Sequence, residues 1–214
     1  VPPANSLSAA TPLAQAWDAS LQGHIADLNL RLVELLAAAA HDQETGLRTP
    51  VVSSLRGDWR RLGQAALGRL ADCPYLLLDM GLAGEGSRPL SPAPLVGEPA
   101  PPLRRAATGT GRYLDLTQRA LLTAWHFSHT SPLAARITLG ISADACGAMA
   151  SWRLPELERR AQSLSGRMCL RWESQLEIWR QLLGACADAQ QRRLRQLQLR
   201  GLQLMAGDLL PAGH

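Results

Sequence analysis

Four arginines near the carboxy end, Arg192, Arg193, Arg195 and Arg200, form the group with the clearest chemical use in this chain. They alternate with Leu194, Leu197, Leu199, Leu202 and Leu204. On a helix Arg193 and Arg200, seven apart, nearly superimpose, with Arg192 and Arg195 beside them; Leu194, Leu197, Leu204 and Met205 are predicted on a different side. Guanidinium groups set out in this way can clamp phosphates, each contact adding a salt-sensitive affinity that is blind to base sequence. The same pattern also describes the solvated face of a helix that packs through its leucines. The residues alone leave both readings open.

Catalytic groupings are missing. There is no Gly-x-Ser-x-Gly elbow, no Ser/His/Asp set with supporting context, and no phosphate loop ending in Gly-Lys, since the chain has no lysine. Gly109-Thr110-Gly111 follows a linker rather than a strand, so it reads as a flexible lead into a helix. His126 and His129 share a helix face but lack a third ligand nearby. Cys73, Cys146, Cys169 and Cys186 contain no Cys-x-x-Cys pair, which argues against structural zinc and for reduced thiols in a cytoplasmic chain. Glu156 and Glu158 fall on a first helical turn, where acids favour the helix dipole. No catalytic residue, metal or cofactor is expected, and the chain reads as a non-enzyme.

Charge narrows the partners. All 22 basic residues are arginine, against 18 acids. Residues 1–102 hold 7 arginines and 10 acids, a net of −3, whereas residues 103–214 hold 15 and 8, a net of +7. A basic excess confined to one half suits a polyanion or an acidic protein. At 214 residues and 46% hydrophobic content the chain can bury a real core. No apolar run reaches the ~18 residues a membrane helix needs, and the opening residues lack a positive region followed by an apolar block, so neither a membrane span nor a secretory signal is expected.

The elements that must position these residues read as helices throughout. Thr11-Pro12 opens a long amphipathic helix with Leu21, Ile25, Leu28, Leu32, Leu35 and Ala39 on one stripe, closed by Gly46. A second helix follows Pro50 with Val52, Leu55, Trp59, Leu62, Ala66 and Leu70 on one face, stopped by Cys73-Pro74. Tyr75-Leu76-Leu77-Leu78 fits a buried strand or a helical turn equally well. Six prolines within residues 87–102 predict an extended connector between two helical modules, 1–86 and 103–214. In the second, a helix from near Thr110 turns Tyr113, Leu116, Ala120, Leu121, Ala124 and Phe127 inward. Ser131-Pro132, Ser142 and Pro155 open three more, with Gly140 and Gly166 as stops. Met168 to Trp172 reads as extended. Ser174 and Glu177 form a capping box from which one long carboxy-terminal helix runs to about Met205. The fold class is all-α.

Residues 132–151 have the form helix, Gly140-Ile141-Ser142 turn, helix, with Ile141, Cys146 and Met149 predicted inside. The outward positions of the second helix, Ala143, Asp144, Gly147, Ala148 and Ser151, include no Arg, Asn or Gln able to read a base edge bidentately. Trp125, Trp152, Trp172 and Trp179 fall on apolar faces and are assigned to packing rather than to a stacking platform for single strands.

One series of motifs points to a family. Tyr113-Leu114-Asp115-Leu116, Leu121-Leu122, Pro132-Leu133-Ala134-Ala135-Arg136 running into Leu139-Gly140-Ile141-Ser142, Leu154-Pro155-Glu156-Leu157 with Ala161, and Cys169-Leu170-Arg171-Trp172 occur in that order. Over residues 112–183 this series resembles the FlhD subunit of the flagellar master transcriptional regulator, which has no counterpart to residues 1–102. The resemblance implies a small helical domain that forms a homodimer, with Cys169 and neighbouring Trp172 near the dimer interface, and that joins a partner subunit to activate transcription. The function expected is therefore a regulator of this type, its arginines Arg192, Arg193, Arg195 and Arg200 on DNA phosphates. The alternative is a helical protein–protein adaptor that does not bind DNA.

Overall fold

The structure, a computed structural model, describes residues 19–41, 49–82, 110–165 and 168–209. These form helices α1 (Ala19–His41), α2 (Pro50–Ser54), α3 (Arg56–Arg60), α4 (Gln64–Ala71), α5 (Thr110–Thr130), α6 (Pro132–Leu139), α7 (Ala143–Ala150), α8 (Leu154–Ser165), α9 (Leu176–Ala187) and α10 (Gln191–Leu209). Two short strands, β1 (Leu78–Asp79) and β2 (Cys169–Leu170), pair antiparallel, with Leu78 opposite Leu170 and Asp79 opposite Cys169. Among the described residues the fold is all-α apart from this pair. The Thr11-Pro12 start, Gly46 and the proline-rich connector lie outside the described residues.

Local chemistry sets most element ends. Thr49 caps α2 by accepting from the Val52 amide at 3.1 Å, with Pro50 at the first helical position. Ser142 caps α7 by accepting from the Ala145 amide, and Gly140 closes α6 at φ +65°. Between residues 50 and 71 the expected single helix is instead three short ones. Leu55 leaves helical geometry and Gly63 turns extended (ψ 171°), yet the predicted stripe from Val52 to Leu70 is buried throughout. Helices of five to eight residues cannot hold themselves in water, so packing on α1 maintains them.

Two expectations at the carboxy end are corrected. The capping box does not form: Gln175 precedes α9 without a side-chain cap, because its amide donates to the Trp172 carbonyl in a turn that Trp172 enters at φ +54°. The single long helix breaks after Ala187, where Ala189 adopts φ +53° and the Gln190 amide closes on the Ala185 carbonyl. The break lets the chain cover two surfaces. α9 packs on α2, α3 and α4, whereas α10 folds back on α9 and packs on α6.

Both halves feed one hydrophobic core, running from Leu21 to Met205. α1 touches α5, and β1–β2 joins the halves directly, so the segments on either side of the connector pack as one body. Two buried polar residues pin this arrangement. Asn29 donates to the carbonyls of Tyr75 (2.9 Å), Ala71 and Cys73 and accepts from the Leu77 amide, fixing the approach to β1 against α1. Arg171 lies beneath the seam and donates to the carbonyls of Leu76 (2.8 Å), Leu139 (3.0 Å) and Leu78 (3.4 Å). Gly140 makes the room: a Cβ there would stand 2.6 Å from an Arg171 nitrogen.

Candidate interaction surface on the last helix

The position of α10 is set by its inner face. Leu194, Gly201 and Met205 are buried, and Leu197 and Leu202 pack against the core. Gly201 is required at its site, since a Cβ would lie 2.3 Å from the Tyr75 hydroxyl oxygen. Tyr75 in turn meets the Trp172 ring edge-on, with centroids 5.4 Å apart. Gln198 reaches from α10 to the Asp72 carbonyl at 3.5 Å.

The outer face then carries Arg192, Arg193, Arg195 and Arg200, all exposed. None forms an ion pair with a carboxylate among the described residues. At 1.5 Å per residue the four span about 12 Å along the axis, fanned over nearly half the circumference. Glu177, whose carboxyl feels Arg193, is committed elsewhere: it accepts from Gln181 and from Arg180, which together with Arg193 hold its carboxyl below the usual range. Two leucines share the face. Leu199 is 61% exposed and Leu204 38%, so Leu204, predicted on the packed side, is turned outward instead. The surface is therefore basic and apolar together.

Other sequence-predicted positions divide between packing and simple exposure. Ile141, Cys146 and Met149 are buried as predicted. α7 turns Ala143, Asp144, Gly147 and Ser151 to solvent, so its only charged outward group repels phosphate. Trp179 is buried and donates to the Arg171 carbonyl, and half-buried Trp125 donates to that of Trp152. Arg160 bonds Glu156, lowering its pKa, and stacks on Trp152 at 4.2 Å from the ring centre. His126 and His129 are exposed, and no group of three metal-ligating side chains occurs among the described residues. A cleft of about 520 Å³ between α1 and α5 is lined by charges that mostly engage other side chains, Arg31 with Asp27 and Asp115, Glu34 with Gln64.

Cys169 and Trp172, the positions that the resemblance assigns to a dimer interface, are engaged within the chain. Cys169 sits in β2 opposite Asp79, and Trp172 packs on Tyr75. Burial, with Asp79 and Glu173 nearby, pushes the Cys169 thiol up to about 12. Reasoning from the sequence missed Arg171, Asn29 and Gly201 as structural residues. Their available signal was a polar or minimal side chain inside an apolar pattern. No helix among the described residues is long and apolar enough to cross a membrane. No protein-family model, curated protein or solved structure matches the chain.

Proposed function

We propose that the protein is a non-catalytic helical adaptor that offers the outer face of α10 to an acidic protein partner. The observation that carries this reading is the exposure of Leu199 and Leu204 among four arginines that form no ion pair among the described residues. Phosphate contact alone gains nothing from solvent-facing leucines, whereas an acidic surface with an apolar seam uses both kinds of side chain. The absence of any base-reading side chain on the outer face of α7 supports the same reading.

A second reading, a transcriptional regulator of the FlhD type acting with a partner subunit, keeps the same arginines on DNA phosphates. It is favoured by the fan of four cations, none of which forms an ion pair with a described carboxylate. Four phosphate contacts require log affinity to fall with log salt at a slope of about −3.6.

Fluorescence anisotropy separates the two. A labelled amphipathic peptide with alternating Glu and Leu faces, and a labelled DNA duplex of about 30 base pairs, are titrated between about 50 and 200 mM salt. The adaptor reading expects peptide binding that survives the higher salt and is lost in both Leu199→Ser and the triple Arg192→Ala, Arg193→Ala, Arg195→Ala. Duplex binding with the steep slope, indifferent to Leu199→Ser, overturns it in favour of the regulator. Binding to neither probe removes both.

A further inference from the structure

We propose that residues 19–82 and 110–171 are two copies of one structural unit, closed on each other about a local two-fold axis, so that the chain supplies its own partner copy in cis. Each segment runs in the same order: one long helix, three short helices and a two-residue strand. In each, the long helix packs on all three short ones, most extensively on the third, α1 on α4 and α5 on α8. In each, the first short helix opens on a hydroxyl residue followed by proline, Thr49-Pro50 and Ser131-Pro132.

The strand register gives the symmetry a sharper test. With Leu78 opposite Leu170, a two-fold axis normal to the ribbon through that opposed pair exchanges the two leucines, both buried, a displacement of 92 residues. The same displacement lays α1 on α5. Leu21, Leu28 and Leu32 fall on Tyr113, Ala120 and Ala124, and all six are buried. Two independent elements therefore share one offset. The contacts across the axis are also like with like, α1 on α5 and β1 on β2, as a two-fold interface demands. The short helices are the part that has diverged, 5, 5 and 8 residues long in the first copy and 8, 8 and 12 in the second.

The face that a single unit would turn to a second copy is thus already filled. The full chain is a monomer of 23.1 kDa, and the seam beside Cys169 and Trp172 takes the place of the homodimer contact expected there. One α10 face per chain implies one partner per chain.

The test is a disulfide across the seam in the full-length protein. Cys169 faces Asp79, and opposed residues of an antiparallel pair lie within the ~4.4–6.8 Å Cα separation a disulfide spans. Asp79→Cys, oxidised with diamide at micromolar concentration, forms an intrachain bond: a monomer band that migrates faster on a non-reducing gel than after reduction, a shift absent with Cys169→Ser. Sedimentation equilibrium of the unmodified chain gives a single 23.1 kDa species. An interchain disulfide, failure of the pair to bond, or a species of twice the chain mass in sedimentation overturns the proposal.

Discussion

Replacing Arg171 with methionine removes the single guanidinium that ties the end of α6 to the approach of β1. Its donors reach the carbonyls of Leu139 at 3.0 Å and Leu76 at 2.8 Å, with Leu78 at a weaker 3.4 Å, while the residue is only 7% exposed. Hydrogen bonds to a charged group contribute ~1.5–3 kcal/mol each, so the two short ones are worth roughly 3–6 kcal/mol before compensation. Methionine keeps most of the stem packing and no longer buries a charge, which offsets part of the loss. A net cost of about 3–4 kcal/mol is a large share of the ~5–15 kcal/mol that holds a typical protein together. The corresponding fall in melting temperature is roughly 6–16 °C for a chain of this size. Urea unfolding followed by tryptophan fluorescence reads the change at close range, because Trp179 donates to the Arg171 carbonyl. Arg171→Lys recovers part of the loss but not all, since an ammonium cannot present the planar fork to carbonyls on two elements. Exposed Arg153 serves as control, Arg153→Ala shifting stability by less than ~0.5 kcal/mol. A loss below ~1 kcal/mol in Arg171→Met would refute the assignment of this side chain as the pin of the seam.

Three further outcomes follow from named contacts. Gly201→Ala drives a methyl into the Tyr75 ring and destabilises by about 1–3 kcal/mol, whereas a methyl added at exposed Gly147 in α7 would meet nothing within 4 Å and Gly147→Ala stabilises by about 0.5–1 kcal/mol; thermal melts of the two variants should move in opposite directions. Burial pushes the thiols of Cys73 and Cys186 up to about 12, so at pH 8 neither reacts with Ellman's reagent on the timescale of the urea-unfolded chain, and prompt labelling of either would contradict their placement. The Arg160 hydrogen bond lowers the folded pKa of Glu156, so its stabilising effect is present above the ordinary carboxylate range and lost as pH falls through the folded value; parent and Glu156→Gln should differ near neutrality and converge in acid, and a gap that persists at low pH would count against the pair.

What the sequence made legible is the chemistry that acts within one turn of helix. Spacing alone predicts Tyr113, Leu116, Ala120, Leu121, Ala124 and Phe127 on the inner face of α5, and all six are buried. Ser131-Pro132, Gly140 and Ser142 set the limits of α6 and α7 because caps are satisfied by atoms three or four residues away. The break at Ala189 leaves no such mark, having neither glycine nor proline; it follows from α9 and α10 covering different surfaces. Leu204 is misplaced by its spacing for a related reason, since the helical stripe gives the interval of buried positions but not the width of the face a neighbour covers.

The seam was invisible for a stronger physical reason. A strand of two residues carries too little alternation to declare itself, and its partner lies about ninety residues away, so no local window contains both. What the sequence did contain was a pair of anomalies. Asn29 interrupts the apolar stripe of α1, and Arg171 stands in the apolar run from Met168 to Trp172. A polar group at a core position costs free energy unless something answers it, so each anomaly requires a partner with free backbone carbonyls or amides. The segment from Ala71 to Leu78 supplies partners to both residues, to Asn29 from its own half and to Arg171 from the other. One stretch of irregular backbone is thereby satisfied from two sides at once. That shared dependence couples the halves more specifically than apolar burial, which would tolerate many registers.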